Sequence, residues 1–229
     1  MFEKLKLGLI GGDAFSSYKA RIAFLLCRNK IHIEKESSLK LNNVILKNCS
    51  INIQGKNCNI EIGGGSRLVG CRIDVFGDNC KIRIGCDNNL SCAWLWLEDN
   101  ESSITIGGSN NFTGKIQLAA IEGTSIIIGD DCLFSREIQI SSGDSHSILN
   151  NITGKRINPS LDISIGNHVW VGMNVTITKG VSIPDHIIVG RGSIVTRTFN
   201  KSNVAIAGVP ARIIKENVDW DASRLPVAR

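Results

Sequence analysis

The sequence is poor in several residue types that other architectures rely on. Its 229 residues include four prolines, two methionines, one tyrosine and only 5% aromatic residues. So few aromatic rings argue against the base-stacking surfaces of nucleic-acid binders, and no nucleic-acid partner is expected. No apolar run is long enough to cross a bilayer, so no transmembrane segment is expected. The N-terminus carries Glu3, Lys4 and Lys6 but no apolar stretch ending in small residues. No secretory signal is therefore expected, and the expected location is the cytoplasm. There are eight cysteines but no Cys-x-x-Cys pair. Reduced thiols are therefore expected, and no structural zinc. A net charge of +5 suits a small anionic ligand as well as it suits nucleic acid, and it is the scarcity of aromatic rings that tells against the latter.

Isoleucine, by contrast, is abundant: 34 residues, against 17 leucines, alongside 23 glycines and 21 asparagines. β-Branched residues favour strands, and Gly and Asn favour tight turns, so the composition predicts many short strands. Ile-x-Ile-Gly occurs at Ile60–Gly63, Ile82–Gly85, Ile104–Gly107, Ile126–Gly129 and Ile163–Gly166, the first four spaced 22 residues apart. Six residues after the second Ile of each stands another apolar residue: Leu68, Leu90, Phe112, Phe134 or Val171. A third ladder runs through Ile51/Ile53, Ile73/Val75, Ile116/Leu118 and Ile138/Ile140, with Trp94/Trp96 or Leu95/Leu97 between. From Ile165 the period tightens to six through Val171, Ile177, Ile183, Val189 and Val195. Residues two apart in a strand share a face. Each hexapeptide thus turns two side chains inward, with Gly166, Gly172, Gly190 and Gly192 at corners. Three such units close one coil of a solenoid. The cysteines follow the same repeat: Cys49 and Cys71, and Cys58 and Cys80, lie 22 apart, and Ala93, Ser102 and Thr124 continue their columns. These columns call for small core side chains.

This pattern resembles the hexapeptide-repeat acyltransferases. The resemblance implies a left-handed parallel β-helix of triangular cross-section; the general rule for parallel crossovers would give the other hand. The expected fold is all-β, a left-handed parallel β-helix solenoid with a short N-terminal helix and an inserted catalytic loop. An N-terminal cap would occupy residues 1–39, the β-helix 40–198 and a short, basic, irregular tail 199–229. Ser17–Arg28 reads as a helix with Tyr18, Ile22, Leu25 and Leu26 on one side, covering the first coil or a partner subunit. A peripheral membrane contact through Lys4, Lys6, Lys19, Arg21 and Arg28 is the second reading.

The repeat breaks once. Ile128 to Ile165 spans 37 residues instead of 22, which makes 141–160 an inserted loop. Long insertions in compact domains are commonly functional. This one reads Ser141-Ser142-Gly143-Asp144-Ser145-His146-Ser147 and holds one of only four histidines. His146 is the candidate general base, because an imidazole can take a proton from an attacking hydroxyl near neutral pH. Asp144, Ser145 and Ser147 are groups able to orient it. Ser-Gly-Asp-Ser-His with a later His-Val-Trp-Val-Gly resembles the branch that O-acetylates sugars and surface polysaccharides, and there the loop histidine is the base. Ser142, Lys155 and Arg156 are candidates for contacting the acceptor, the two cations suiting an acidic glycan. Trp170 lies between inward Val169 and Val171, so it should face outward. The resemblance makes it a wall of the active site, and burial in a subunit interface is the alternative.

The ending Gly208-Val209-Pro210-Ala211-Arg212 resembles the family's segment beside the coenzyme A groove. Cations near a groove suit a pyrophosphate. Arg191, Lys201 and Arg212, with the slim corners Gly172, Gly190, Gly192 and Ser193 and the turn residues Gly208 and Pro210, are the candidate donor contacts. The function implied is acetyl transfer from acetyl-CoA to a hydroxyl of a sugar, in a capsular or other surface polysaccharide or its precursor. The resemblance also implies a homotrimer with active sites between subunits, and no metal. An N-acetyltransferase acting on an amino sugar, free or nucleotide-linked, is the alternative. A γ-class carbonic anhydrase-like metal protein built on His146, His168 and His186, and a non-catalytic scaffold, rank below it. His168 and His186 lie 18 apart and should stack on one solvated corner.

Overall fold

A computed structural model describes residues 28–226. The expected helix Ser17–Arg28, apart from Arg28, and the basic residues Lys4, Lys6, Lys19 and Arg21 lie outside that range. The described chain is all-β: three sheets of eight, seven and nine strands wind as a left-handed parallel β-helix of about eight turns. The register follows the repeat. Ile60, Ile82, Ile104, Ile126 and Ile163 are consecutive partners in one sheet, across steps of 22 and then 37 residues. Ile165 pairs Ile183 and Val171 pairs Val189, both at 18 residues. The 37-residue step keeps the ladder in register because the inserted segment leaves the solenoid after Ser141 and returns before Ile163.

The core is the inward half of each strand. Ile60, Ile62, Ile104 and Phe112 are fully buried, and Phe112 packs on Phe134 one coil away at 4.6 Å between ring centroids. The small columns behave as expected: Cys49, Cys58, Cys71, Cys80, Ala93 and Ser102 are all buried. Burial pushes the thiols of Cys80 and Cys132 up to about 11 and about 12, so neither is a nucleophile near neutral pH. Buried polar groups are satisfied by stacking too. The Asn110 amide oxygen accepts from the Cys132 backbone N–H at 2.8 Å while its nitrogen donates to the Gly129 carbonyl.

Corners require left-handed backbone, which explains the abundance of Asn, Asp and Gly. One corner column runs Asn43, Gly65, Asp87, Ser109, Asp131, His168, His186 and Asn203, each at positive φ. Elsewhere bulk is the constraint: a Cβ on Gly172 would lie 2.7 Å from the Arg191 backbone nitrogen.

Two boundaries differ from the expectation. Among the described residues the sheets begin at Lys30, because Ile31 and Ile33 pair with Ile51 and Ile53, ahead of the boundary at residue 40. The tail is not irregular: Val204–Gly208 extends the third sheet and Ala211–Glu216 returns antiparallel to it. The alternation Val204-Ala205-Ile206 carries one more coil's inward pattern, and the turn at Val209-Pro210 reverses the chain. Trp94 and Trp96 are not core. Leu95 and Leu97 take the inward positions and the two indoles lie on the outer face.

Candidate active site

The inserted segment is a hairpin. Leu149 and Arg156 form an antiparallel bridge, the Ile157 N–H donates to the Ile148 carbonyl, and the Asn150 side chain accepts the backbone N–H groups of Ile152 and Thr153 across the tip. His146 sits on the outgoing arm, exposed, with its neighbour Ser145 in left-handed backbone. The residue that fixes this arm is Asn158. It is buried, and its amide donates to the His146 carbonyl and to Asp144 Oδ2, both at 2.8 Å. Its oxygen accepts from the Ile148 N–H at 2.7 Å.

Several candidate residues turn out to hold the hairpin in place. Asp144 does not hydrogen-bond the imidazole. Its carboxylate takes Lys179 Nζ at 2.5 Å and Asn158, and those partners hold its pKa below the usual carboxylate range. Ser142 is fully buried; its hydroxyl accepts from Thr124 at 2.6 Å and from the Ile121 N–H, so it is no acceptor contact. Arg156 pairs with Glu122 at 2.6 Å and donates to the Asn158 carbonyl at 3.1 Å, so its charge is spent locally. The Lys155 side chain has no ion pair or hydrogen bond among the described residues. Arg156 and Ser160 hold Glu122 down at about 2, from an ordinary 4.5.

That pairing gives a pH prediction. Glu122 and Asp144 are depressed in the folded hairpin, so their contribution is complete above the ordinary carboxylate range and is lost as pH falls through the folded values. Between pH 4.5 and about 2 the hairpin should undock while the solenoid keeps its strand signal. Brief pepsin digestion at stepped pH should cut first within 142–162. Equal protection of that segment at pH 4.5 and 2 would refute the anchoring role.

A groove of about 280 Å³ runs along the outer face of the first sheet to Ser145, next to His146. Trp94, Trp96, Gln117 and Gln139 line it. The two indoles meet edge-on at 5.1 Å, and Trp94 Nε1 donates to the buried Asp74 at 2.8 Å. Trp170 faces outward as expected, 40% exposed, with Leu133 and Ile188 as its strand partners.

The candidate donor residues Gly172, Gly190, Arg191, Gly192 and Ser193 lie at the corner between the nine- and eight-stranded sheets, and Lys201 does not. Gly190 donates its N–H to Ile206, and a Cβ on it would meet Ala207 at 2.8 Å. Gly192 is exposed with φ +73°, and the space beyond its Cα is open. Arg191 is exposed beside it. Gly208, Pro210 and Arg212 form the turn into the last strand, and Arg212 is exposed. Two candidates are committed elsewhere. The hydroxyl of buried Ser193 donates to the Gly190 carbonyl at 2.6 Å and accepts from the Gly208 N–H. Lys201 pairs with Glu216 at 2.6 Å. Ser193 therefore braces the corner, and its role is to shape a backbone surface.

The corner of His168 and His186 is not simply solvated. His168 stacks on Trp220 at 4.3 Å and 14° between planes, and Trp220 Nε1 donates to the His168 carbonyl. The tail segment covers it. Nothing in the periodicity marks residues 219–220 for that place.

The polysialic acid O-acetyltransferase OatWY has a solved structure that superposes on this one with a TM-score of 0.74, at 33% identity, over 86% of this chain and 90% of that one. The chain belongs to the hexapeptide-repeat acetyltransferases. Another member, the polysialic acid-specific acetyltransferase NeuO, aligns at 27% identity over 84% of this chain and 88% of its own, with a TM-score of 0.64. The galactoside O-acetyltransferase of Escherichia coli K12 is 50% identical over 62 residues, 27% of this chain and 30% of that protein. The chain thus matches less than a third of that curated relative's length. No protein-family model matches the chain. For this hexapeptide-repeat acetyltransferase, the residue that sequence reasoning missed is Asn158. The signal available was its place beside Pro159 in the only insertion, but the partners it joins are invisible without the hairpin. No helix among the described residues is long and apolar enough to cross a membrane.

Proposed function

We propose that this protein moves an acetyl group from acetyl-CoA to a hydroxyl of a sugar, within a capsular or other surface polysaccharide or its precursor. The observation that carries the reading is the hairpin that, among the described residues, alone breaks the solenoid. It presents an exposed His146 on a buried Asn158 scaffold, in a chain whose 33%-identical relative is a polysialic acid O-acetyltransferase. His146 takes the hydroxyl proton as the sugar oxygen attacks the thioester carbonyl. The tetrahedral intermediate collapses with cleavage of the carbon–sulfur bond, and the protonated His146 returns the proton to the leaving thiolate. A backbone N–H from a neighbouring coil stabilises the oxyanion. No metal and no acyl-enzyme enters this sequence of steps. The groove lined by Trp94, Trp96, Gln117 and Gln139 suits the acceptor, since indole faces and amides match the apolar and hydroxyl faces of a sugar ring. Coenzyme A lies along the Gly172, Gly190 and Gly192 corner, with Arg191 and Arg212 near its phosphates and Trp170 beside the acyl arm.

The protein works in the cytoplasm as a homotrimer with active sites between subunits. The hairpin supports the association: Ile152 at its tip is 94% exposed, and Ile148, Leu149, Ile157 and Leu161 are also exposed. Aliphatic surface concentrated on one projecting element marks a contact. Free coenzyme A release from acetyl-CoA, measured with neutral oligosaccharides, sialylated oligosaccharides and amino sugars, tests the reading. Release is expected with one hydroxyl-bearing glycan class, from a species sedimenting at three chain masses. Release confined to amino sugars would replace O-transfer by N-transfer, and no release with any acceptor would remove the transferase reading.

A further inference from the structure

The repeat delivers Asp131, His168 and His186 to one corner on three successive coils. All three take left-handed backbone, at φ 55°, 52° and 58°, so their side chains leave the solenoid in the same direction. The tail adds Asp219 over them. Asp219 Oδ1 lies 3.4 Å from His168 Nε2 and Oδ2 lies 3.2 Å from His186 Nδ1. One ligand atom from each of His168, His186 and Asp219 falls within 4.8 Å of the others. Metal–ligand bonds of about 2.0–2.1 Å in a tetrahedron separate neighbouring ligand atoms by about 3.3 Å. The two contacts are close to that edge but use different oxygens of Asp219, so a small turn of the side chains draws the three ligand atoms, now within 4.8 Å of one another, onto one ion.

The remaining ring nitrogen is also disposed of. His168 Nδ1 is bound to Asp131 Oδ2 at 2.7 Å, which leaves Nε2 as the nitrogen facing Asp219. A carboxylate on the far nitrogen of a histidine is the usual device for fixing the ring and raising its basicity toward a metal. We propose that His168 Nε2, His186 Nδ1 and the Asp219 carboxylate bind one divalent transition-metal ion of the zinc class, with Asp131 as a positioning residue.

Two imidazoles and one carboxylate suit Zn²⁺, Co²⁺ or Ni²⁺, whereas Mg²⁺ and Ca²⁺ prefer oxygen alone. Three protein ligands leave a fourth position for water or for the Trp220 carbonyl, which lies 3.1 Å from His168 Nε2. All the ligands come from one chain. The ion's role is structural: it clamps the tail to the corner and seats Trp220 against His168, with its ring 6.3 Å from that of Trp170. It takes no part in acetyl transfer.

The test is cobalt titration of the untagged, chelator-treated full chain, read by visible absorption and by tryptophan fluorescence, with ZnCl2 as competitor. One equivalent per chain is expected, displaced by zinc. Binding should weaken at least 10-fold in His186→Ala and in Asp219→Asn, and about 10- to 100-fold in Asp131→Asn. Both His186 and Asp219 are about half exposed, and Asp219 lies outside the coils, so the solenoid should survive these changes. His146→Ala should bind cobalt as wild type does. Cobalt affinity unchanged in His186→Ala and Asp219→Asn, or no stoichiometric binding by wild type, would overturn the proposal and leave the corner as an ion-paired latch between histidine and aspartate.

Discussion

His146→Ala is expected to lower kcat for acetyl transfer by about 10²- to 10⁴-fold, the range that a positioned general base supplies. The argument rests on location. His146 is exposed on the hairpin arm and its fold-holding contacts are backbone ones: its N–H donates to the Asp144 carbonyl and its carbonyl accepts from Asn158. Alanine keeps both. The solenoid core is untouched, so the melting temperature and the KM for acetyl-CoA should stay close to wild type. Steady-state kinetics with the acceptor found in the panel, run beside circular-dichroism melts, checks this. Turnover within a few-fold of wild type would remove His146 from the chemistry. A lost fold signal would remove it from the loop-only position argued above.

Asn158→Ala should come second, with a fall in kcat of about 10²-fold, the cost of misplacing a reacting group by about an ångström. Asn158 touches no reacting atom in this scheme; it positions the arm that does. Removing its amide strips partners from the His146 carbonyl, Asp144 and the Ile148 N–H at once. These groups lie at the surface and can turn to water, so each lost bond costs about 0.5–1.5 kcal/mol. That penalty falls on the hairpin, so the arm samples other conformations while the coils stay stacked. The distinguishing readout is a split: kcat falls, KM for acetyl-CoA holds, and hydrogen exchange at residues 144–148 accelerates. A parallel loss of kcat and acetyl-CoA affinity would mean that the whole molecule is disturbed. An unchanged kcat would mean that the arm keeps its place through Arg156 and Lys179 alone.

The repeat carried most of this architecture on its face. Inward isoleucines at fixed spacing can stack in only one register, because each coil buries its apolar row on the row of the coil before, though this does not set the hand of the coil. The break between Ile128 and Ile165 located the hairpin for the same reason: an interrupted ladder must resume in register, so the surplus residues have to leave the solenoid. The outward direction of Trp170 followed from its inward neighbours. Trp94 and Trp96 did not yield to that logic, since Ala93-Trp94-Leu95-Trp96-Leu97 is apolar on both faces. Only the pairing of Leu95 with Ile73 chose between them.

What the sequence by itself determined is therefore the set of contacts between coil neighbours: the three sheets, the small-residue columns, the corner residues and the place of the insertion. These interactions repeat at a constant offset, and a periodic pattern encodes them many times over. The tertiary structure alone decided which polar groups are free for chemistry. Asp144 went to Lys179, Ser142 to Thr124, Arg156 to Glu122, Ser193 to Gly208 and Lys201 to Glu216. Asp219 and Trp220 came to lie over His168 from some fifty residues away. Each of these pairings occurs once, at an offset set by a hairpin or a returning tail, so no period in the chain records it and only the folded geometry does.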